Sequence, residues 1–222
     1  MIKYLLKKVK GKGFVLDEKI SQADLYSIAF KYALMLVKGF AIFRRRVFLG
    51  KSVKLSKRRN LLLGNWVKIS DYVRIDALAK EIVVIGDGCS IGEYTRIECT
   101  GSIQKVGIGL SIGKGSGIGA FSFIGAAGGV TVGENVIMGQ YVSFHSENHN
   151  FNSLEIPIKL QGVTSKGIVI GDDCWVGSKV TFLDGAHVGH GCVVADGAVV
   201  SGTFPDNSVI GGVPAKILKY RG

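Results

Sequence analysis

The sequence predicts an all-β solenoid with a helical segment at its N-terminal end. Three observations lead there. An aliphatic residue recurs every six positions, 32 glycines stand against 3 prolines, and the positive charge is gathered near the start of the 222-residue chain. Neither the 3.6-residue period of a helix nor the two-residue alternation of a strand gives a strict six. A coil of three short flat strands and three corners does, with the aliphatic side chain turned inward on each face. Abundant glycine with little proline fits short strands divided by tight corners, and fits disorder or collagen poorly. An apolar fraction of 47% is enough to bury a core as one or two domains.

The N-terminal element comes first. Residues 1–59 hold 16 Lys/Arg against 3 Asp/Glu, a net +13, whereas residues 60–222 hold 12 against 14, a net −2. A basic leader on a near-neutral body reads as a docking element and not as a polyanion groove, so no nucleic-acid partner is expected. The start "MIKYLLKKVKGKG" has charges around a very short apolar stretch and no small-residue cleavage site, unlike a secretory signal. The apolar run at 25–43, "LYSIAFKYALMLVKGFAIF", approaches the length of a bilayer span. It is interrupted by Lys31, Lys38 and Gly39 and closed by "RRR" at 44–46. Unpaired lysines in lipid are costly, so residues 1–49 are expected to form a basic amphipathic helical leader, lying at a membrane surface or packed on the body.

The solenoid is expected over residues 50–222. Its clearest stretch runs Ile170, Val176, Phe182, Val188, Val194, Val200, with Gly171, Gly177, Gly189 and Ala195 following four of these. A small residue fills the fifth place of each unit: Cys174, Val180, Ala186, Cys192 and Ala198. Upstream the same period runs through Leu63, Ile69 and Ile75; then Ile85, Ile91, Ile97 and Ile103; then Ile112, Ile118 and Ile124; then Val132, Met138 and Phe144. Between stretches the phase slips, as corner loops would make it do. The largest interruption, about 145–169, is a loop insertion of the kind that usually carries function. Cys89, Cys174 and Cys192 occupy the small fifth place, where a thiol is a compact apolar filler. Cys99 is out of that register and gains no assignment. The four cysteines form no disulfide frame or metal motif, which makes a reduced, cytoplasmic compartment the expectation and gives no metal site.

These repeats resemble the hexapeptide-repeat transferases, over roughly residues 50–222. The resemblance implies a left-handed parallel β-helix and a homotrimer. The same coil carries acyltransferases, zinc carbonic anhydrases and non-catalytic scaffolds. "IGDDCWVGSKVTFLDGAHVG" with "SVIGGVPAKILK" resembles the closing section of the sugar and xenobiotic O-acetyltransferases, especially those of polysaccharide synthesis. That branch implies acetyl-CoA as cosubstrate and a sugar or glycan hydroxyl as acceptor.

The four histidines are His145, His149, His187 and His190. Registering "GQYVSFHSENH" on the branch's pattern puts His149 in the place of the general base. His145 stands where the branch has an apolar residue, either lining the site as a structural residue or taking part. The chemistry needs one base only: a neutral imidazole takes the proton of the attacking hydroxyl, and the thioester needs hydrogen bonds to its developing oxyanion. Glu147 is the nearest carboxylate able to orient an imidazole, a task a backbone carbonyl would also perform, and Asn148 is a candidate contact to the acceptor. The resemblance sets Trp175 beside the acetyl group, and Gly177 and Ser178 by the pantetheine arm. Asp196, Ser201 and Gly202 would hold the arm and the adenosine end, with Lys216 and Lys219 at the phosphates. Asp196 replaces the branch's usual small residue and Gly202 its usual lysine. His187 and His190, at "GAHVGHG", read as solvated or interface residues.

Two other chemistries fit the fold. An N-acetyltransferase acting on a nucleotide-linked amino sugar would use the same base. A zinc hydratase would draw on "HSENH" but needs a further histidine about a coil earlier, and residues 60–144 contain none. A scaffold reading predicts no acetyl-CoA binding at all.

Overall fold

In a computed structural model of the chain, residue 17 and residues 19–222 are described. The basic opening "MIKYLLKKVKGKG", part of the expected leader, lies outside the described residues. Helix α1, Gln22–Phe43, starts at an N-cap Ser21 whose hydroxyl accepts from Asp24 N while Asp24 accepts from Ser21 N. It stops where Arg44 turns left-handed at φ 55°. Gly39 is the residue that lets α1 meet the coil: a Cβ there would stand 1.8 Å from Val47 O. Tyr32 packs edge-on against Phe48, and Lys38 Nζ donates to Gly50 O at 2.6 Å.

From Phe48 onward the chain winds as a left-handed parallel β-helix with three flat sheets. The first sheet has nine strands and runs from Phe48–Leu49 through Ile137–Met138, Trp175–Val176 and Ser208–Gly211 to Lys216–Tyr220. The second has seven, from Lys54–Ser56 through Arg96–Glu98, Phe123–Gly125 and Ser143–His145 to Val199–Val200. The third, also of seven, runs from Leu61–Leu63 through Leu110–Ile112 and Ile168–Ile170 to Thr203–Phe204. Within these three sheets each strand pairs in parallel with the one a coil later, except that Lys216–Tyr220 returns antiparallel and covers the last edge of the first sheet.

The six-residue positions line the core. Leu63, Ile69, Ile75, Ile85, Ile91, Ile97, Ile112, Ile124, Phe144, Ile170 and Phe182 are all nearly or fully buried. Ile103 is the exception. It is 93% exposed, because the chain leaves the second sheet at Glu98 and makes a loop before entering the third at Leu110. Cys89, Cys99, Cys174 and Cys192 are free and buried.

A second repeat fixes the corners. Asp71, Asp87, Asp172, Asp196 and Asp206 each accept, at 2.6 to 2.8 Å, the backbone N–H of a residue one coil earlier: Lys51, Asn65, Glu134, Ser178 and His190. The residue before each of those donors is glycine, and a Cβ on Gly50, Gly64, Gly133, Gly177 or Gly189 would lie 2.1 to 2.6 Å from the same carboxylate oxygen. Glycine recurs here because the bridging aspartate occupies the space of a side chain.

Candidate active site

The phase slips share one corner. Between the second and third sheets the chain inserts residues 77–82, 99–109, 126–129 and 146–167, so successive coils build a wall along a single edge of the prism. The longest of these carries the short antiparallel pair Asn148–His149 with Val163–Thr164, then a 3-10 turn at Ile158–Leu160. Asp184 anchors its return: Oδ1 accepts from Lys166 N at 2.7 Å and Gly167 N at 2.9 Å.

His145 and His149 meet at this corner with Glu147, in an open cleft of about 300 Å³ whose floor and far side include Glu98, Gly101, Phe123 and Val163. His145 ends its strand in register with Gly125 and Leu183, so it projects outward from the second sheet, its ring 5.7 Å from that of Phe123. Gly125 leaves the room that Phe123 fills; a Cβ on it would stand 3.2 Å from that ring. His149 is exposed and is held by the backbone pairing to Val163. Asn148 is exposed beside it, opposite Thr164.

Glu147 does not orient an imidazole as expected. Its Oε1 accepts from Ser165 Oγ at 3.3 Å, and Ser165 Oγ accepts in turn from Lys105 Nζ at 3.3 Å. The carboxylate therefore ties the insertion to the loop at 99–109. Lys105, Gly101, Phe123 and Ser165 were not singled out in the sequence; the nine-residue step between Ile103 and Ile112 was the one sign that a loop stands there.

The residues assigned to the donor divide over the prism. Trp175, 59% exposed, faces outward from the first sheet, in the column Ile137, Trp175, Val193, Val209. Lys219 pairs with Val209 and so extends that column, three strand spacings or about 14 Å beyond Trp175. Lys216 pairs with Gly211 on the same edge. Gly177, Ser178 and Asp196 form one of the five corner braces, so the carboxylate of Asp196 is already bonded to Ser178 N and Gly177 is packed beneath it. Ser201 and Gly202 are exposed at the insertion's own corner, where the chain passes from Val199–Val200 to Thr203–Phe204, with Gly202 at φ 82°. His187 is exposed on the third sheet and His190 exposed at a corner. One chain thus assembles the histidine cleft and leaves Trp175 on a different face. Among the described residues no three His, Cys, Asp or Glu side chains gather as metal ligands.

The family model for the bacterial transferase hexapeptide, in six repeats, matches residues 167–202. A probable acetyltransferase of Mycobacterium tuberculosis, Rv3034c, is 31% identical over 188 residues, 81% of this chain and 52% of the relative. The putative lipopolysaccharide biosynthesis O-acetyl transferase WbbJ of Escherichia coli is 29% identical over 154 residues, 66% of this chain and 65% of the relative. The chain therefore spans between half and two thirds of the length of these curated relatives. Among solved structures, a mutant of the N-acyltransferase AntD from Bacillus cereus, in complex with dTDP-4-amino-4,6-dideoxyglucose and coenzyme A, shares the fold. It is 18% identical with a TM-score of 0.51, covering 84% of this chain and 89% of that one. The six-residue repeat, the three-sided coil it winds and these likenesses set the chain beside the hexapeptide-repeat acyltransferases.

Proposed function

We propose that the chain is an acetyl-CoA-dependent O-acetyltransferase acting on a hydroxyl of a sugar in bacterial surface polysaccharide, with His149 as general base. The observation that carries this reading is the cleft in which His149, His145 and Glu147 stand at the corner where four coils insert residues. The likeness to an O-acetyl transferase of lipopolysaccharide biosynthesis supports the acceptor class. A neutral imidazole of His149 takes the hydroxyl proton as the oxygen attacks the thioester carbonyl. The tetrahedral intermediate then expels the coenzyme A sulfur, which takes the proton from the imidazolium. The products are acetyl ester and free thiol, and no covalent enzyme intermediate is required.

The donor sits in a groove between copies of the chain. Trp175 of one copy lies beside the acetyl group held at His149 of the next, while Lys219 and Lys216, further along the same sheet, take the phosphates. Two apolar surfaces support such a ring. Phe151, Leu154, Ile156 and Leu160 are exposed on the insertion, and Ile137 and Trp175 are exposed on the first sheet. Contact between two different patches is heterologous and makes a ring where its rotation closes, which for a three-sided coil is a trimer. Acetyl-CoA as donor, and four buried unpaired thiols, match a cytoplasmic enzyme.

The test is turnover of labelled acetyl-CoA against a panel of hydroxyl and amino sugar acceptors. His149→Ala lowers turnover on the preferred acceptor by about 10² to 10⁴, the usual share of a positioned base. Unchanged turnover moves the assignment to His145. Preference for an amino acceptor instead makes the enzyme an N-acetyltransferase of a nucleotide-linked amino sugar.

A further inference from the structure

Helix α1 has a face that the described residues do not cover. Tyr26, Phe30, Ala33, Val37 and Phe40 are spaced by four and three residues, which sets them along one side of a helix about 33 Å long. All five are exposed, Phe30 by 67% and Val37 by 69%. The opposite side, with Leu25, Met35 and Gly39, is the buried one. By length and composition α1 could cross a membrane. Its inner side is instead fastened along the first coil by Gly39 against Val47 and by Lys38 on Gly50 O.

Charge selects the occupant. Residues 25–70 contain eleven Lys/Arg and no Asp/Glu. Arg44, Arg45 and Arg46 follow directly at the end of the apolar stripe and are exposed; Arg46 stacks over Trp66 at 5.3 Å, itself exposed. Lys51, Lys54, Lys57, Arg58 and Arg59 lie on the same first coil. A second copy of α1 laid on this stripe would bring two such cationic regions together. A nucleic acid would satisfy the cations and leave the stripe in water. An anionic bilayer satisfies both, its interface taking the rings and its headgroups the guanidinium groups.

We infer that α1 and the arginines after it dock the enzyme flat on an anionic lipid surface, with Tyr26, Phe30, Val37 and Phe40 entering the interface. The inference is independent of the acetyltransferase reading, since its measurement contains neither donor nor acceptor. The full chain is floated with vesicles of phosphatidylcholine alone, or with about 30% phosphatidylglycerol, at about 0.1 M and about 0.5 M salt. The expected result is binding to the anionic vesicles only, weakened by the higher salt. Phe30→Asp/Val37→Asp should lower the bound fraction about tenfold or more, with melting temperature and assembly size unchanged. Arg44→Gln/Arg45→Gln, at two exposed positions, should weaken binding and reduce its salt dependence. Three results overturn the inference: no flotation with anionic vesicles, flotation of both variants equal to that of the wild type, or an assembly that dissociates when the stripe carries aspartate.

Discussion

Cys99 is buried because it stands in a stacked corner column. Ala77, Cys99, Ala126, Ser146 and Asp184 each follow directly on strand residues paired across successive coils, and all five are buried. The six-residue count runs along strands and does not number these corner places, so Cys99 had no register in the sequence. Burial, aided by the Asp76 carboxylate, pushes its thiol from an ordinary value of 9.0 up to about 12. A pKa raised by folding stabilises the native state fully below the unfolded value and loses that contribution as pH climbs to the folded one. Melting measured between about pH 9 and about pH 12 should therefore fall more steeply for the wild type than for Cys99→Ala; parallel curves would contradict the burial. Glu147 makes a second residue-scale prediction. Because it bonds Ser165 and no imidazole, Glu147→Gln should keep turnover within about tenfold, far from the loss that removal of a base produces.

The insertion is the element on which the site depends. It leaves the coil after His145 and is returned to it by Asp184, whose two backbone hydrogen bonds close the loop at Lys166 and Gly167. The other oxygen of Asp184 is buried and without a partner among the described residues, so the two N–H groups are the bonds this carboxylate makes there. Asp184→Ala leaves both donors without an acceptor, at a cost of about 1–3 kcal/mol, and should speed hydrogen exchange over residues 146–167. Unchanged exchange there would mean that the strand pair at Asn148–His149 suffices to hold the loop. Much of this element was legible: its place came from a gap in the period, and its two histidines are the pair the cleft contains. The strand pairing of His149 to Val163 is made within the insertion and leaves no mark on the six-residue period, and the link from Glu147 through Ser165 to Lys105 depends on a loop about 40 residues upstream in sequence that only the winding brings alongside. The aspartate braces were missed for the same reason. Each joins residues 16 to 38 positions apart, and single positions such as Asp196 and Gly177 look like ligand contacts until the other four pairs are seen with them.

At the scale of the molecule, the coil is a one-dimensional stack in which each turn touches only its neighbours, and its fold was readable because the sequence repeats as the structure does. Aliphatic period, small fifth residues and glycine corners all describe the same turn. Ile103 fell outside because counting six from Ile97 continues through a loop as if it were strand. The proposed active site is less local. The coil sets Trp175 on the first sheet and the histidine cleft at the corner of the second and third, so a catalytic site using both must be made by two chains. Acetyl-CoA at 100 times its dissociation constant should raise stability by about 2.7 kcal/mol, and a melting curve that ignores it would remove the donor from the account. The central claim, a shared site between copies, is tested by mixing. His149→Ala and Trp175→Ala chains, each poorly active alone, are unfolded together in equal amounts and refolded. Random assembly gives about a quarter of interfaces an intact His149 facing an intact Trp175. The account predicts that turnover recovers to about that fraction of wild type; turnover that stays at the average of the two variants would contradict it.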